Sequence, residues 1–155
     1  MVEVRGAAHE RHRGESFMAD SVRAGELVLP AGTIGEPFVD ADDIADVAAA
    51  ALTEDGHAGK LYELTGPRLL TFAEAVHEIA KATGRDIRYV QISREDSSTV
   101  LDGRNASLSD GVQRALGREP RDFADYARDA AAAGAWTPPG TTAGVDLARA
   151  ASTIG

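Results

Sequence analysis

Apolar residues recur with helical spacing in the segment that follows Pro37. The stripe consists of Ile44, Val47, Ala48 and Ala51. These positions correspond to i, i+3, i+4 and i+7, so they share one face and predict an amphipathic helix.

Three carboxylates stand where this helix would begin, namely Asp40, Asp42 and Asp43. Acidic side chains can cap the free N–H groups of a first helical turn and face the positive end of the helix dipole. A calcium loop is the alternative, but that loop needs a glycine and a distal glutamate that this segment lacks. We therefore assign these three residues to helix capping.

A second helix is predicted after Thr71 and Glu74, which have the spacing of a capping box. Its apolar stripe consists of Ala75, Val76, Ile79 and Ala80. Gly84 can then end the helix in a left-handed conformation. His77 lies close to Glu74 and Glu78, but an exposed polar face explains this grouping better than a zinc site, so we predict no metal.

Short apolar runs at residues 26–30, 37–39, 61–65 and 87–92 predict four strands. From residue 37 to residue 92 the strands alternate with the two helices. That order is typical of an α/β fold in which neighbouring strands are parallel.

The chain after residue 92 predicts a small helical cap at residues 93–136. Ser109 or Asp110 can cap a helix that ends at Gly117, Pro120 suits the first position of another helix, and Trp136 closes the cap. The other parts are predicted to be a flexible basic arm, a partial α/β segment and a flexible tail. They correspond to residues 1–16, 17–92 and 137–155.

The composition excludes several classes of function. The 155 residues are 43% hydrophobic and 26% charged, which is typical of one globular domain. The net charge of −9 would repel phosphate backbones, so we expect no nucleic-acid partner. The absence of cysteine excludes disulfides and thiolate chemistry. Because no apolar run is long enough for a membrane span or a signal core, we expect a cytoplasmic protein without a membrane partner.

The sequence carries no complete catalytic motif. A dinucleotide turn places glycines between a strand and a helix, whereas the segment around Gly32 and Gly35 is followed by a predicted strand. Short-chain reductases pair a tyrosine with a lysine four residues later, and Tyr62, Tyr89 and Tyr126 have no such lysine. No serine lies in a nucleophile elbow. We therefore predict no catalytic residue in this chain.

Several consecutive segments resemble the NmrA-like, atypical short-chain dehydrogenase/reductases. They lie, in the order found in that family, at residues 37–45 (PFVDADDIA), 61–67 (LYELTGP), 70–74 (LTFAE), 84–90 (GRDIRYV), 102–105 and 117–123. The resemblance covers residues 17–136 and corresponds to the C-terminal half of such a protein.

This resemblance implies the C-terminal portion of a doubly wound, Rossmann-like sheet with a small helical cap. It also implies a family role in NAD(P)H-dependent reduction or in redox sensing. The nucleotide-binding N-terminal half of the family is absent from the matched segments, so no cofactor-binding residue is carried over. We expect no cofactor for this chain alone, NAD(P)H for the full-length family, and no catalysis by the chain on its own.

In a doubly wound sheet, ligands collect at the carboxyl ends of the strands. The residues that we predict to face a ligand are Phe38, Val39, Leu64, Thr65, Gly66 and Pro67. Core packing and turn formation are the alternative interpretation of the same residues.

Part of a doubly wound sheet would leave a strand edge exposed. We therefore expect this edge to pair with a second copy of the chain or with a complementary chain. Three functional hypotheses remain open. The chain is a truncated reductase-family protein that is not catalytic by itself, a subunit completed by a partner that carries the nucleotide half, or a non-enzymatic binding or dimerisation module.

Overall fold

The computed structural model describes residues 3–6, 12–92 and 106–138, with residues 3–6 and 12–17 described by their backbone. The described strands are β1 (Glu3–Gly6), β2 (Glu26–Leu29), β3 (Leu61–Leu64) and β4 (Arg88–Gln91). The described helices are α1 (His12–Ala24), α2 (Ala41–Thr53), α3 (Phe72–Thr83), α4 (Gly111–Leu116) and α5 (Phe123–Ala132). None of these helices has the length and apolar character needed to cross a membrane.

The strands form two parallel pairs. β1 pairs with β3, with Glu3 opposite Leu61, and β2 pairs with β4, with Glu26 opposite Arg88. Parallel strands need long crossover connections, and helices supply them here. The predicted α/β fold with parallel strands is confirmed, although the described strands form two sheets of two strands each.

Two predictions in the N-terminal half are wrong. Within the predicted flexible arm, Glu3–Gly6 form β1 and His12 begins α1, because β1 finds its partner in the distant strand β3. Residues 37–39 do not form a strand, and the pairing there is a single antiparallel bridge between Glu36 and Leu70. Pro37 follows directly and has no N–H group with which to extend a ladder.

In the helical cap, α4 has its predicted ends, whereas α5 begins later than predicted. α4 follows Asp110 and ends at Gly117, which has a left-handed φ of 67°, but the Asp110 side chain makes no capping hydrogen bond. α5 begins at Phe123 and not at Pro120, because the Asp122 carboxylate accepts a hydrogen bond from the Ala124 N–H at 2.8 Å. The predictions for residues 93–105 and 139–155 lie outside the described residues.

A larger apolar cluster, the α3–α5 core, surrounds β2 and β4. Its buried members are Val22, Leu27, Val76, Ile79, Ile87, Ala127 and Trp136. At the edge of this core, two arginine side chains donate hydrogen bonds to backbone carbonyls. Arg85 donates to the carbonyls of Trp136 at 2.6 Å and Arg23 at 2.7 Å, and Arg23 donates to that of Ala135 at 2.7 Å. This core therefore joins α1 to the end of the cap.

A smaller cluster, the β3 core, joins α2, β3 and α4. Its buried members are Val47, Tyr62, Leu64 and Val112. The Tyr62 hydroxyl lies 2.8 Å from Nδ1 of the buried His57. A Cβ atom at Gly111 would lie 2.0 Å from the Glu63 carbonyl oxygen, so the first residue of α4 rests directly on the β3 backbone. This contact brings α4 to the carboxyl end of β3.

Candidate ligand groove

An open groove of about 450 Å³ lies where β3 ends and α4 begins. Its lining residues are Gly66, Pro67, Leu108, Ser109, Asp110, Gln113, Glu119 and Pro120. Its volume falls within the range of about 300–1,000 Å³ that is usual for small-molecule sites. The carboxyl end of a parallel strand is also where ligands bind in open α/β sheets. We call this feature the β3 groove.

Thr65 and Ser109 fasten the base of the groove. The Ser109 N–H donates to Thr65 Oγ1 at 3.0 Å, and the Thr65 hydroxyl lies within hydrogen-bond distance of the Ser109 carbonyl at 3.2 Å. The Ser109 hydroxyl donates to the Glu63 carbonyl at 2.5 Å. Because Thr65 is buried, these bonds hold the segment before α4 against the end of β3.

The predicted ligand-facing residues divide between the groove and the interior. Gly66 and Pro67 line the groove, and Thr65 supports it from below. Leu64 is fully buried in the β3 core, and Val39 packs against the same core. The prediction therefore does not hold for Leu64, because strand alternation turns that side chain inward.

Phe38 takes part in an aromatic cluster away from the groove. Its ring centroid lies 5.3 Å from that of Phe72 and 5.2 Å from that of Phe123. Its carbonyl oxygen would lie 2.0 Å from a Cβ atom at Gly66, so only glycine fits this position without a backbone shift. Phe38 thus fixes the path of the chain beneath the groove and does not line it.

The lining of the groove is acidic. Asp110 lies 3.5 Å from Arg114, so its charge is partly balanced. Among the described residues, no cationic side chain pairs with the carboxylate of Glu119, a second acidic residue of the lining. An anionic group would meet an unfavourable potential here, whereas a neutral or cationic group would not.

The carboxylates near the start of α2 play different roles. Asp40 is the N-cap residue, and its carboxylate accepts a hydrogen bond from the Asp42 N–H at 2.9 Å. Asp42 pairs with Arg121 at 2.7 Å on the surface. Asp43 is buried and contacts both Arg118 and Arg121. The carboxylates of Asp43 and Asp46 hold the pKa of Arg118 above its ordinary value.

The capping box at the start of α3 is complete. The Glu74 N–H donates to Thr71 Oγ1 at 3.2 Å, and the Thr71 N–H donates to the Glu74 carboxylate at 2.7 Å. The hydrogen bonds that the Thr71 N–H and hydroxyl donate to the Glu74 carboxylate lower the pKa of that carboxyl group. Both residues therefore belong to the helix end and not to the groove.

Arg68 connects the segment after β3 to the start of α5. Its guanidinium donates two hydrogen bonds to the Asp122 carboxylate, at 2.7 and 2.9 Å. This contact lowers the pKa of Asp122 and raises that of Arg68. Sequence analysis missed this pair, because its members lie 54 positions apart in the chain.

Gly32 and Gly35 do not form a pyrophosphate cradle. A Cβ atom at Gly32 would lie 3.3 Å from the Gln91 side chain, and one at Gly35 would lie 3.0 Å from Cβ of Leu69. Both glycines therefore accommodate neighbouring side chains. The next described helix begins only at Ala41, so this turn does not lead directly into a helix N-terminus. The described residues do not fit the nucleotide part of NAD(P)H at this turn.

Known proteins with related sequences and folds include NAD(P)H-dependent reductases. An NAD(P)H azoreductase from Xenophilus azovorans is 34% identical over 130 residues, which are 70% of this chain and 46% of that protein. An NADPH-dependent quinone oxidoreductase from Escherichia coli, solved with NADPH, superposes with a TM-score of 0.62 at 22% identity. That match covers 74% of this chain and 49% of the other. No protein-family model matches the sequence.

A nucleoside-diphosphate-sugar epimerase from Staphylococcus aureus has the same fold, with a TM-score of 0.63 at 19% identity. The match covers 82% of this chain and 51% of that one. The chain spans about half the length of these proteins. The predicted resemblance is confirmed, because the relatives are of the NAD(P)H azoreductase and quinone oxidoreductase type and the chain matches part of their length.

Proposed function

We propose that this chain forms the substrate-side part of an NAD(P)H-dependent reductase and that the β3 groove holds an organic electron acceptor. The observation that carries this proposal is the position of the groove at the carboxyl end of a parallel strand in a chain of this family. Azo compounds and quinones are the substrate classes suggested by the names of the relatives.

The groove favours a neutral or cationic acceptor. Asp110 and Glu119 belong to its lining, and its apolar lining residues include Pro67, Leu108 and Pro120. Two carboxylates near a bound anion oppose it by roughly 1.4 kcal/mol in total when solvent screens them, which corresponds to about tenfold in affinity. We expect sulfonated acceptors to bind more weakly than uncharged ones.

The nucleotide is held elsewhere in this proposal. NAD(P)H supplies the hydride in reductases of this kind, and residues outside the described part of the chain would bind it. These residues lie in the same polypeptide or in a complementary chain that pairs with a strand edge of the two sheets. The described residues then contribute the acceptor site and do not catalyse reduction without the nucleotide-binding part.

The first experiment compares three azo dyes that differ only in charge. The purified chain is titrated with 4-dimethylaminoazobenzene and with its 4′-sulfonate and 4′-trimethylammonium derivatives. We expect the neutral and cationic dyes to bind about tenfold more tightly than the sulfonate. The variant Glu119→Gln should reduce this preference, and Asp129→Asn, a change on α5, serves as the matched control. If none of the dyes binds, the proposed acceptor site is wrong.

A thermal melt with and without NADPH tests where the nucleotide binds. A ligand at one hundred times its dissociation constant stabilises the native state by about 2.7 kcal/mol, which raises the melting temperature by several degrees. We expect no such rise for this chain alone. A clear rise would contradict the proposal that the nucleotide is held by residues elsewhere.

A further inference from the structure

We propose that Asp43 is a positioning residue for the β3 groove, because its buried carboxylate holds the segment that forms one groove wall. Glu119 and Pro120 supply that wall, and Arg118 and Arg121 flank them. The inference rests on the proposed function in that it treats the groove as the acceptor site. It assigns to Asp43 a role beyond the helix capping that sequence analysis predicted.

The Asp43 carboxylate reaches the wall segment from both ends. Oδ2 accepts a hydrogen bond from the Arg121 backbone N–H at 2.7 Å. Oδ1 forms an ion pair with Nη1 of Arg118 at 2.7 Å. The two arginines are three positions apart, so one side chain fixes the chain immediately before Glu119 and immediately after Pro120.

Burial makes these contacts of Asp43 hard to replace. Its side chain is 0% exposed, so an ionised carboxylate here depends on its partners instead of water. Oδ1 accepts no well-aligned hydrogen bond from the described residues, so its compensation is the ion pair with Arg118 at 2.7 Å and a longer one with Nε of Arg121 at 4.0 Å. Removing that carboxylate would leave a void and free the wall segment.

The neighbouring carboxylates are poorly suited to the same task. Asp42 and Asp46 are 75% and 48% exposed, so solvent screens their pairs with Arg121 and Arg118. Asp40 accepts a hydrogen bond from the N–H of Asp42 at the helix end, and its other carboxylate oxygen lies 3.9 Å from Nη1 of Arg121, farther than the 2.7 Å contacts of Asp43. A change at Asp46 should therefore alter the amide exchange of the wall segment far less than a change at Asp43.

Amide hydrogen exchange of the whole chain tests this inference without any ligand. We expect Asp43→Ala to speed exchange of the Arg121 amide by about tenfold or more relative to amides of α3. Asp43→Asn, which can still accept from that amide, should have an intermediate effect and serves if the alanine variant folds poorly. Asp46→Asn is the surface control. Val76→Ala, in the α3–α5 core, is the stability control.

Binding of 4-dimethylaminoazobenzene gives the second readout. The Asp43 variants should bind the dye about tenfold more weakly, whereas Val76→Ala should retain the wild-type affinity once folded. Equal exchange rates of the Arg118, Glu119 and Arg121 amides in Asp43→Ala and Val76→Ala would overturn the positioning role. If the wild-type chain binds no dye but Asp43→Ala still speeds amide exchange in this segment, the proposed function is overturned. The control of the segment by Asp43 then stands on its own.

Discussion

The α3–α5 core and the β3 core are built on different principles. The first buries aliphatic side chains from several elements together with Trp136. At its edge, Arg85 and Arg23 donate hydrogen bonds to backbone carbonyls. The second is smaller, and buried polar groups stand next to it, namely Asp43, His57 and Thr65.

Because of this difference, we expect the α3–α5 core mainly to stabilise the fold and the β3 core to position the groove. Apolar burial stabilises without specifying a contact, because it is non-directional. Buried polar groups need defined partners, so they set the positions of the chain segments around them. The β3 groove lies beside the second core, where Thr65 and Asp43 fix its base and one wall. The two cores should therefore respond differently to substitution.

The largest expected effect is a loss of stability from the α3–α5 core. Ile79→Ala removes buried methyl groups and leaves a cavity, so we expect the free energy of unfolding to fall by about 2–5 kcal/mol. Urea unfolding followed by Trp136 fluorescence measures this change, since Trp136 is buried in the same core and is the single tryptophan. Dye affinity of the folded protein should stay unchanged. A parallel loss of affinity would show that the two cores are not separable.

A substitution at Gly111 should disturb the β3 groove and leave the α3–α5 core intact. The added methyl group of Gly111→Ala would meet the Glu63 carbonyl oxygen at 2.0 Å, so α4 must move away from β3. We expect a destabilisation of about 1–3 kcal/mol together with loss of dye binding, whereas the emission maximum of Trp136 should stay the same. Gly56→Ala is the control, because no atom lies within 4 Å of its added Cβ and only its φ of 93° is strained. Retained dye binding in Gly111→Ala would contradict the placement of the groove.

The Arg68–Asp122 pair joins the two regions and is expected to matter less. Asp122→Ala removes a two-point contact and the N-cap of α5, so the free energy of unfolding should fall by about 1–2 kcal/mol at pH 7. The Arg68 hydrogen bond lowers the pKa of Asp122 in the folded protein. The contribution is therefore complete above the ordinary aspartate pKa and is lost as the pH falls through the lowered value.

Urea unfolding of wild type and Asp122→Ala between pH 7 and pH 3 checks this sign. The difference between the two proteins should shrink as the pH falls. Asp125→Ala is the matched control, since Asp125 belongs to the same helix and its pair with Arg128 is exposed. A difference that stays constant with pH would mean that the carboxylate charge contributes nothing.

Local signals in the sequence predicted α2 and α3 well. The apolar stripes have helical spacing, and the Thr71–Glu74 pair and Gly84 mark the two ends of α3. The same signals failed for β1, because a parallel strand is defined by a distant partner and not by its own pattern. They also failed for the ion pairs of Asp43, whose hydrogen-bond partner Arg121 lies 78 positions away.

The groove was only partly predictable for the same reason. Gly66 and Pro67 were expected at a ligand site because they end a strand, and strand ends can be located in the sequence. The sequence marks Ser109 and Asp110 only as helix caps, and Glu119 stands in no distinguishing pattern. These residues become neighbours because α4 packs on β3 through Gly111, a contact between segments far apart in the chain.

The smallest expected effect concerns the capping box, which lies outside both cores. Thr71→Ala should lower the free energy of unfolding by about 1 kcal/mol, because the Glu74 N–H loses its acceptor at the exposed end of α3. Thr71→Ser keeps the hydroxyl and should cost less than half as much. Since the box orders a helix end and touches no groove residue, dye affinity and Trp136 emission should both stay at their wild-type values. A change in dye affinity would show that the end of α3 is coupled to the groove and that the contrast between the two cores is too simple.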